Sequence, residues 1–452
     1  MTLLNELSAE VCQRARMSRD PRFDGRFFVA VKTTGIFCRP ICPANLPKEE
    51  NVEYFSSQAL AVSAGYRPCL RCRPESAPHS WAWKGAETTF LRALTLIEQG
   101  ELDGSLETLA SRLGISDRYL RQLFQRHLGM PPKQYAQIQQ LMFAKQLLHT
   151  SQISITEVAY ASGFQSTRRF NDAFQKLFRL TPTQVRRERA ALPSRNHLSL
   201  AFRGPFDWAH MLDFYRLRAI EGIELVDEQS YQRHFVLGEG TGWFKASMAQ
   251  SHLDIEFEME RLSDLRHLVA RLRRMFDLDA DLISIEAYLE QLAPGLVRRT
   301  GIRIPGVWNA WEAGVRAVLG QQVSVKAAIG QLNLLVSTLA ASEGSTRYFP
   351  TPEQVQMSDL SFLRMPERRK ETLKRLADYV RLHPMDSPMA WLSLSGIGPW
   401  TVDYAQLRGE SRSHCFLTGD LIVKKALAKF PQLTAESVAP WGSYATFHCW
   451  SH

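Results

Sequence analysis

The sequence predicts a multidomain α+β protein in four parts: a small α/β module, an all-α section of duplicated two-helix units, an α+β section built on an antiparallel sheet, and a final all-α section. Three observations carry this. Four of the seven cysteines fall within one short stretch, a helical segment of about 27 residues occurs twice, and strand-like alternation after residue 197 gives way to helical period from about residue 300. At 452 residues the chain is too long for one ordinary core. With 45% hydrophobic and 22% charged residues it falls among globular chains rather than disordered ones. No apolar run reaches the span of a bilayer, and the opening MTLLNELSAEVCQRARMSRD alternates charge with apolar positions instead of forming a signal sequence. The expectation is a cytoplasmic protein with no membrane partner.

Residues 1–78 are defined by their thiols. Cys38-x3-Cys42 and Cys69-x2-Cys72 each put two thiolates within reach of one ion, and four soft ligands in a tetrahedron suit Zn2+. Without a secretory signal such clustering favours a metal over disulfides. Cys12, Cys415 and Cys449 stand alone and read as small core residues. By spacing alone, a purely structural zinc module is the simpler reading. The flanking residues, FFVAVKTTGIFCRPICPANLPKEENVEYF at 27–55 and AGYRPCLRCRP at 64–74, resemble the N-terminal domain of the Ada family of methylation sensors across nearly all of this part. That resemblance implies that Cys38 takes a methyl group irreversibly from a methylphosphotriester in DNA, while Cys42, Cys69 and Cys72 act as ligands alone. The chemistry is coherent, because zinc holds a thiol as the thiolate that attacks carbon. Methylation would also change a formal −2 centre to −1, easing repulsion from the phosphate backbone and favouring promoter binding. RNA polymerase is the partner expected of the methylated form. Thr34, Arg39 and Arg67, beside the cysteines, are candidate phosphate contacts. The part closes at Arg73-Pro74-Glu75-Ser76-Ala77-Pro78.

Residues 85–190 are helical in period and internally duplicated. LETLASRLGISDRYLRQLFQRHLGMPP at 106–132 and ITEVAYASGFQSTRRFNDAFQKLFRLTP at 155–182 share an order of apolar helix, small residue, glycine turn and second helix. Ala110 matches Ala159, Gly114 matches Gly163, and Phe124 matches Phe174. The alanine lets two helices approach, the glycine supplies a positive φ, and the polar start of the second helix can enter a major groove. Ser154 and Glu157 form a capping-box pattern. The region resembles the AraC-type DNA-binding domain, a double helix-turn-helix whose two recognition helices on one rigid unit address successive grooves of double-stranded DNA. Arg118, Arg121 and Gln122 in the first copy, and Thr167, Arg168 and Asn171 in the second, are expected nearest the bases. Charge agrees: residues 1–195 hold 27 Lys and Arg against 17 Asp and Glu, whereas the rest hold 28 against 29.

After a linker at 191–197, residues 197–300 carry strand-like runs at 198–203, 234–240 and 252–258 with a helical stretch at 264–276. Residues 301–452 are helical almost throughout. Their most informative stretch is Leu394-Ser395-Gly396-Ile397-Gly398-Pro399-Trp400-Thr401-Val402-Asp403-Tyr404. A Gly-x-Gly between helices leaves backbone N–H groups open, and Pro399 at the first helical position wastes no donor. Such a hairpin, through Gly396, Gly398 and Thr401, can hold a DNA phosphate, often with a monovalent cation. Downstream, FLTGDLIVKKAL at 416–427 places Asp420 after a short loop, where an isolated aspartate is ordinarily an N-cap.

Together the hairpin and Asp420 resemble the HhH-GPD glycosylases, and 198–452 as a whole resembles the AlkA group of alkylpurine glycosylases, with PFDWAHMLDFYRLRAI at 205–220 and WEAGVRAVLGQQVSV at 311–325 as further matches. The resemblance implies a 3-methyladenine-type glycosylase with Asp420 as catalytic carboxylate and Trp400, Tyr404 and Trp450 as aromatics that stack on a flipped cationic base. Trp400 stands where lyase-competent relatives carry a lysine, so a monofunctional enzyme is expected. Gln322 takes the place of an apolar wedge, Gly419 replaces an acidic residue, and the sequence stops two residues after Trp450, a potentially frayed wall. No Pro-Cys-His-Arg motif is present, so repair of O6-methylguanine is not expected. A regulator whose glycosylase half is only a DNA-binding platform is the rival reading.

Overall fold

The computed structural model describes residues 7–451 apart from 21–22, 73, 75–80, 99, 101, 103–104, 188–195, 341, 344–345 and 385. Most of the Pro-rich exit and of the linker at 191–197 lie outside the described residues. The chain divides into two compact units, residues 1–139 and 140–452. Among the described residues, no helix is long and apolar enough to cross a membrane.

The first unit opens with α1 (Ala9–Met17), β1 (Phe28–Val31), β2 (Ile36–Cys38), β3 (Val52–Phe55), α2 (Gln58–Ser63) and β4 (Arg67–Pro68). The strands form one sheet in the order β3-β1-β2-β4, antiparallel except for the β2–β4 pair. Strand alternation sends Phe27 and Val29 to one face, with Cys12 and Ala15 of α1, and Phe28 and Ala30 to the other, with Phe37 and Ala61 of α2. The run FFVAV is apolar throughout because both faces are covered. There follow α3 (Trp81–Glu98), α4 (Leu106–Arg112) and α5 (Asp117–Leu128), then α6 (Pro132–Thr150), which runs across the division. Ser105 and Ser116 cap α4 and α5, and Gly114 makes the turn between them at φ +68°.

The second unit begins with the second copy, α7 (Ile155–Ala161) and α8 (Thr167–Phe178), followed by α9 (Pro182–Arg187). Gly163 has φ +84°, and both halves of the capping box form, Glu157 N–H to Ser154 Oγ at 3.2 Å and Ser154 N–H to Glu157 Oε2 at 2.7 Å. Ala110, Ala159, Phe124 and Phe174 are all buried, as the duplication requires. The division at 139/140 falls within α6, between the two copies.

Next come β5 (His197–Ala201), α10 (Trp208–Arg216), β6 (Glu224–Val226), β7 (Ser230–Leu237), β8 (Gly240–Met248), β9 (His252–Met259), α11 (Leu265–Met275) and α12 (Leu282–Leu292). The five strands make an antiparallel sheet in the order β5-β9-β8-β7-β6. The sequence reading missed β8, whose GTGWFKASM looks like a turn. Gly242 sits there because a Cβ would strike the Glu258 carbonyl and the Phe235 ring across the strand.

The remainder is α13 (Ala310–Gly320), α14 (Val325–Leu339), the two-residue strands β10 (Ser342–Glu343) and β11 (Thr346–Arg347), α15 (Pro352–Met357), α16 (Glu367–Leu382), α17 (Pro399–Glu410), α18 (Leu421–Leu427) and α19 (Gly442–Trp450). Sheet and helices are joined by a buried ring of charge. Arg233 of β7 pairs with Glu224 of β6 at 2.7 Å and Glu312 of α13 at 2.5 Å, and Arg316 of α13 closes the ring on the same two carboxylates at 3.0 and 2.9 Å. Burial opposes ionisation of Glu224, but the two guanidiniums beside it win and hold its carboxyl below the ordinary value.

Candidate metal centre and base pocket

The sheet edge and the loop after β4 bring the four thiols together. Cys38 ends β2, Cys42 follows the Cys38-Arg39-Pro40-Ile41 turn, and parallel pairing of β2 with β4 delivers Cys69 and Cys72 alongside. The four Sγ atoms lie within 4.8 Å of one another. A tetrahedron with Zn–S bonds of about 2.3 Å has edges of about 3.8 Å, so the donor set fits Zn2+ in type, number and spacing.

Arg39 braces this cluster. Its guanidinium is bound to the buried Asp24, Nη1 donates to the Cys72 carbonyl at 3.3 Å, and its backbone N–H donates to Cys72 Sγ at 3.4 Å. These bonds commit it inward, where the sequence suggested a phosphate contact; Thr34 and Arg67 are exposed. In the helix-turn-helix copies, Arg118, Gln122, Arg168 and Asn171 are exposed and Thr167 half-buried, while Arg121 pairs with Asp117 at 2.8 Å on the surface. A surface pair of this kind costs little to exchange for a phosphate.

In the last part, a 3-10 turn (Pro388–Ser393) leads into the hairpin and α17. Gly396 has φ +93°, and a Cβ there would collide with Thr372, so the position needs glycine twice over. Pro399 is at the first helical position. Among the described residues, nothing in the chain accepts from the N–H groups of Gly396, Gly398 or Trp400. Thr401 corrects the sequence reading. It is 2% exposed, its N–H donates to the Gly398 carbonyl, and its hydroxyl accepts from Gln321 Nε2 at 3.2 Å, so it faces the protein. The same Gln321 amide donates to the Gly396 carbonyl at 3.1 Å and ties the α13–α14 turn to the hairpin. Gln322, next along that turn, is exposed with φ +58°.

Beside the hairpin lies a cavity of about 440 Å³, bounded by α10, the α13–α14 turn, α17, Asp420 and α19. Trp400, Tyr404 and Trp450 all line it. Trp400 and Tyr404 stack at 5.3 Å, and Trp450 is parallel to Phe214 of α10 at 6.2 Å. Asp420 caps α18, and one oxygen takes every bond: Oδ1 accepts from Ile422 N–H at 2.9 Å, Val423 N–H at 3.2 Å and Trp450 Nε1 at 3.1 Å. Among the described residues nothing donates to Oδ2. The carboxylate is thus fixed by one oxygen with the other left for a ligand. Among the described residues no lysine lines the cavity.

Profiles described as "Metal binding domain of Ada", "Helix-turn-helix domain" and "AlkA N-terminal domain" match residues 11–75, 109–188 and 197–309. A Mycobacterium tuberculosis protein described as "Probable bifunctional transcriptional activator/DNA repair enzyme AlkA" is 35% identical over 98% of this chain and 96% of its own length. The chain belongs to this family of bifunctional activator and repair proteins. Two Escherichia coli proteins resemble its separate halves. DNA-3-methyladenine glycosylase 2 is 33% identical over 56% of this chain and 96% of its own length, and the bifunctional activator and repair enzyme Ada is 35% identical over 38% of this chain and 47% of its own.

For this bifunctional activator and repair protein, the four-thiolate site is a zinc site. Sequence reasoning found the cysteines, the hairpin and the cavity aromatics, whose signals are local. It missed Gln321, Phe214, Arg218 and Arg408. The motif PFDWAHMLDFYRLRAI contained Phe214, near the end of α10, and Arg218, two residues beyond that helix, and their spacing of four was the available sign that both face one way.

Proposed function

We propose that the chain transfers a methyl group from DNA methylphosphotriesters to Cys38, activates transcription in that state, and separately excises alkylated purines by hydrolysis. The observation that carries the second activity is Asp420, pinned through Oδ1 and open at Oδ2 in an aromatic-lined cavity beside a hairpin with free N–H groups.

In the first reaction the Cys38 sulfur attacks the methyl carbon, the C–O bond breaks, and its electron pair returns to the phosphate oxygen, leaving an ordinary diester. Zinc, when bound, supplies a thiolate at neutral pH. Cys72 accepts the Arg39 N–H and Cys42 the Ala44 N–H, and each bond withdraws charge from sulfur. Cys38 and Cys69 have no backbone donor among the described residues, and the family resemblance selects Cys38. Thr34 and Arg67 supply phosphate contacts nearby, and Arg118, Arg121 and Arg168 hold promoter DNA. RNA polymerase is the partner of the methylated form, in the nucleoid of a bacterial cytoplasm.

In the second reaction the hairpin N–H groups of Gly396 and Gly398 hold a phosphate while the damaged nucleotide turns out of the stack, with Gln322 at the gap it leaves. The base lies against Trp400, Tyr404 and Trp450, Asp420 Oδ2 stabilises positive charge on the sugar, and water adds at C1′. With no lysine lining the cavity among the described residues, the abasic strand stays intact.

The test has two arms. Incubation with dimethyl sulfate-treated DNA is expected to release free 3-methyladenine without strand cleavage, and mass spectrometry after exposure to methylphosphotriester DNA should show one added methyl on the Cys38 peptide. Absence of free base would leave a regulator only; absence of the methyl would leave a structural zinc module.

A further inference from the structure

On and behind the inner wall of the cavity, Arg218 and Arg408 carry positive charge that no ion pair answers among the described residues. The Phe214 ring has two guanidinium carbons against it, Arg218 Cζ at 3.7 Å from the centroid and Arg408 Cζ at 4.7 Å. Arg408 is 1% exposed; Nε donates to the Pro305 carbonyl, Nη1 to the Tyr404 hydroxyl at 3.0 Å, and Nη2 has no partner. Arg218 lines the cavity, with Nη1 donating to the Phe214 carbonyl at 3.2 Å. Among the described residues no carboxylate comes within ion-pair distance of either guanidinium.

Arg316, which lines the cavity with Arg218, is a different case, because Glu224 and Glu312 answer its charge in the buried ring and its Nη1 holds the Arg218 carbonyl at 2.8 Å. The ring therefore fixes the backbone from which Arg218 projects but leaves the Arg218 charge unpaired. Burial lowers the Arg218 guanidinium to about 10, so it remains a cation at neutral pH.

Unpaired buried cations are costly, and an occupant that brings electrons relieves the cost. The excised base can do so in two ways, through a carbonyl oxygen and through the charge it carries away. Breaking the N-glycosidic bond leaves its electron pair on the base, while water adds its oxygen to C1′ and releases a proton. A purine alkylated at N3 or N7 is a cation and departs neutral, the proton passing to solvent. A neutral base departs as an anion that the released proton then neutralises.

Resting on the glycosylase reading above, we propose that Arg218 is a specificity-determining residue, donating to a carbonyl oxygen of a flipped neutral base and stabilising the negative charge that develops as it leaves. Trp400, Tyr404 and Trp450 serve any flipped base, whereas Arg218 favours neutral carbonyl-bearing bases over cationic ones.

The experiment measures single-turnover release of hypoxanthine, a neutral base with one exocyclic carbonyl, and of 3-methyladenine, a cation without one, by the full-length protein. Arg218→Met keeps the aliphatic stem over Phe214 and removes the charge. Its ratio of hypoxanthine to 3-methyladenine excision is expected to fall about 100-fold, the usual cost of losing one donor to a developing anion. Arg218→Lys, which keeps the charge without the planar fork, should recover part of that ratio. An unchanged ratio in Arg218→Met, whether both rates fall together or neither moves, would overturn the proposal, as would a wild-type protein that releases 3-methyladenine but no hypoxanthine. Failure of the wild type to release any 3-methyladenine would instead sink the glycosylase reading itself.

Discussion

Asp420 performs two tasks that substitution can separate. Its Oδ1 satisfies two N–H groups at the start of α18, the ordinary work of an N-cap, while the residue also lines the cavity and its Oδ2 has no donor among the described residues. Asparagine caps helices about as well as aspartate but carries no charge. Asp420→Asn is therefore expected to unfold within about 0.5 kcal/mol of wild type and to lose base excision by about 100-fold or more. Asp420→Ala should lose the activity and also about 1 kcal/mol of stability. Urea unfolding and base release on the same preparations check both; an active Asn variant would remove Asp420 from the chemistry. A half-buried acid makes stability depend on pH. Asp277, held by the Tyr444 hydroxyl and the Ile304 N–H, is pushed up to about 7 by burial. The unfolded chain releases that proton near pH 3.9, so between about pH 4 and 7 the folded protein holds one proton more. Its contribution is thus present at low pH and is lost as pH rises through 7. Asp277→Asn should flatten the fall in the urea midpoint between pH 5 and 8, and an identical pH dependence in the variant would show that Asp277 is not the group responsible.

At the scale of elements, the buried ring decides how α13 meets the sheet. Removing one member of a buried pair leaves a charge with too few partners and costs about 3–5 kcal/mol, whereas the intact ring need not be stabilising relative to apolar packing. Glu312→Gln leaves Arg233 and Arg316 sharing Glu224, and a loss of this size is expected in chemical unfolding of the full chain. A loss below about 1 kcal/mol would mean that the charges are screened by water. None of this was legible in the sequence, where Glu224, Arg233, Glu312 and Arg316 are separated by up to 92 residues and look like ordinary surface charges. What could be read was chemistry held within a few residues: the thiol pairs, the Ser154–Glu157 box, the positive-φ glycines Gly114 and Gly163, and Pro399 opening α17. The direction of Arg39 and Thr401 was not legible, because it depends on Asp24 and Gln321, which arrive from distant segments. β8 was hidden because Gly242 answers a cross-strand approach that only the folded sheet reveals.

For the whole molecule, charge is divided unequally along the chain, with a surplus of ten positive charges in residues 1–195 and near neutrality after them. The two halves must therefore hold DNA by different means. On the proposed reading the first relies on counterion release, which is steeply salt-dependent, and the second on hairpin N–H groups and a cavity, which are less so. The methyl switch belongs to the first regime. On the same proposed reading, one methyl group on Cys38 would remove one negative charge from a centre held against the phosphate backbone, and a gain of that origin weakens as the Debye length shrinks. Protein methylated by prior reaction with methylphosphotriester DNA is expected to bind promoter duplex more tightly than the unreacted form. The ratio of the two affinities should narrow as salt rises from about 0.05 to 0.3 M. Fluorescence anisotropy across that range measures it. A ratio that stays constant with salt would place the switch in a change of shape around the cluster rather than in its charge.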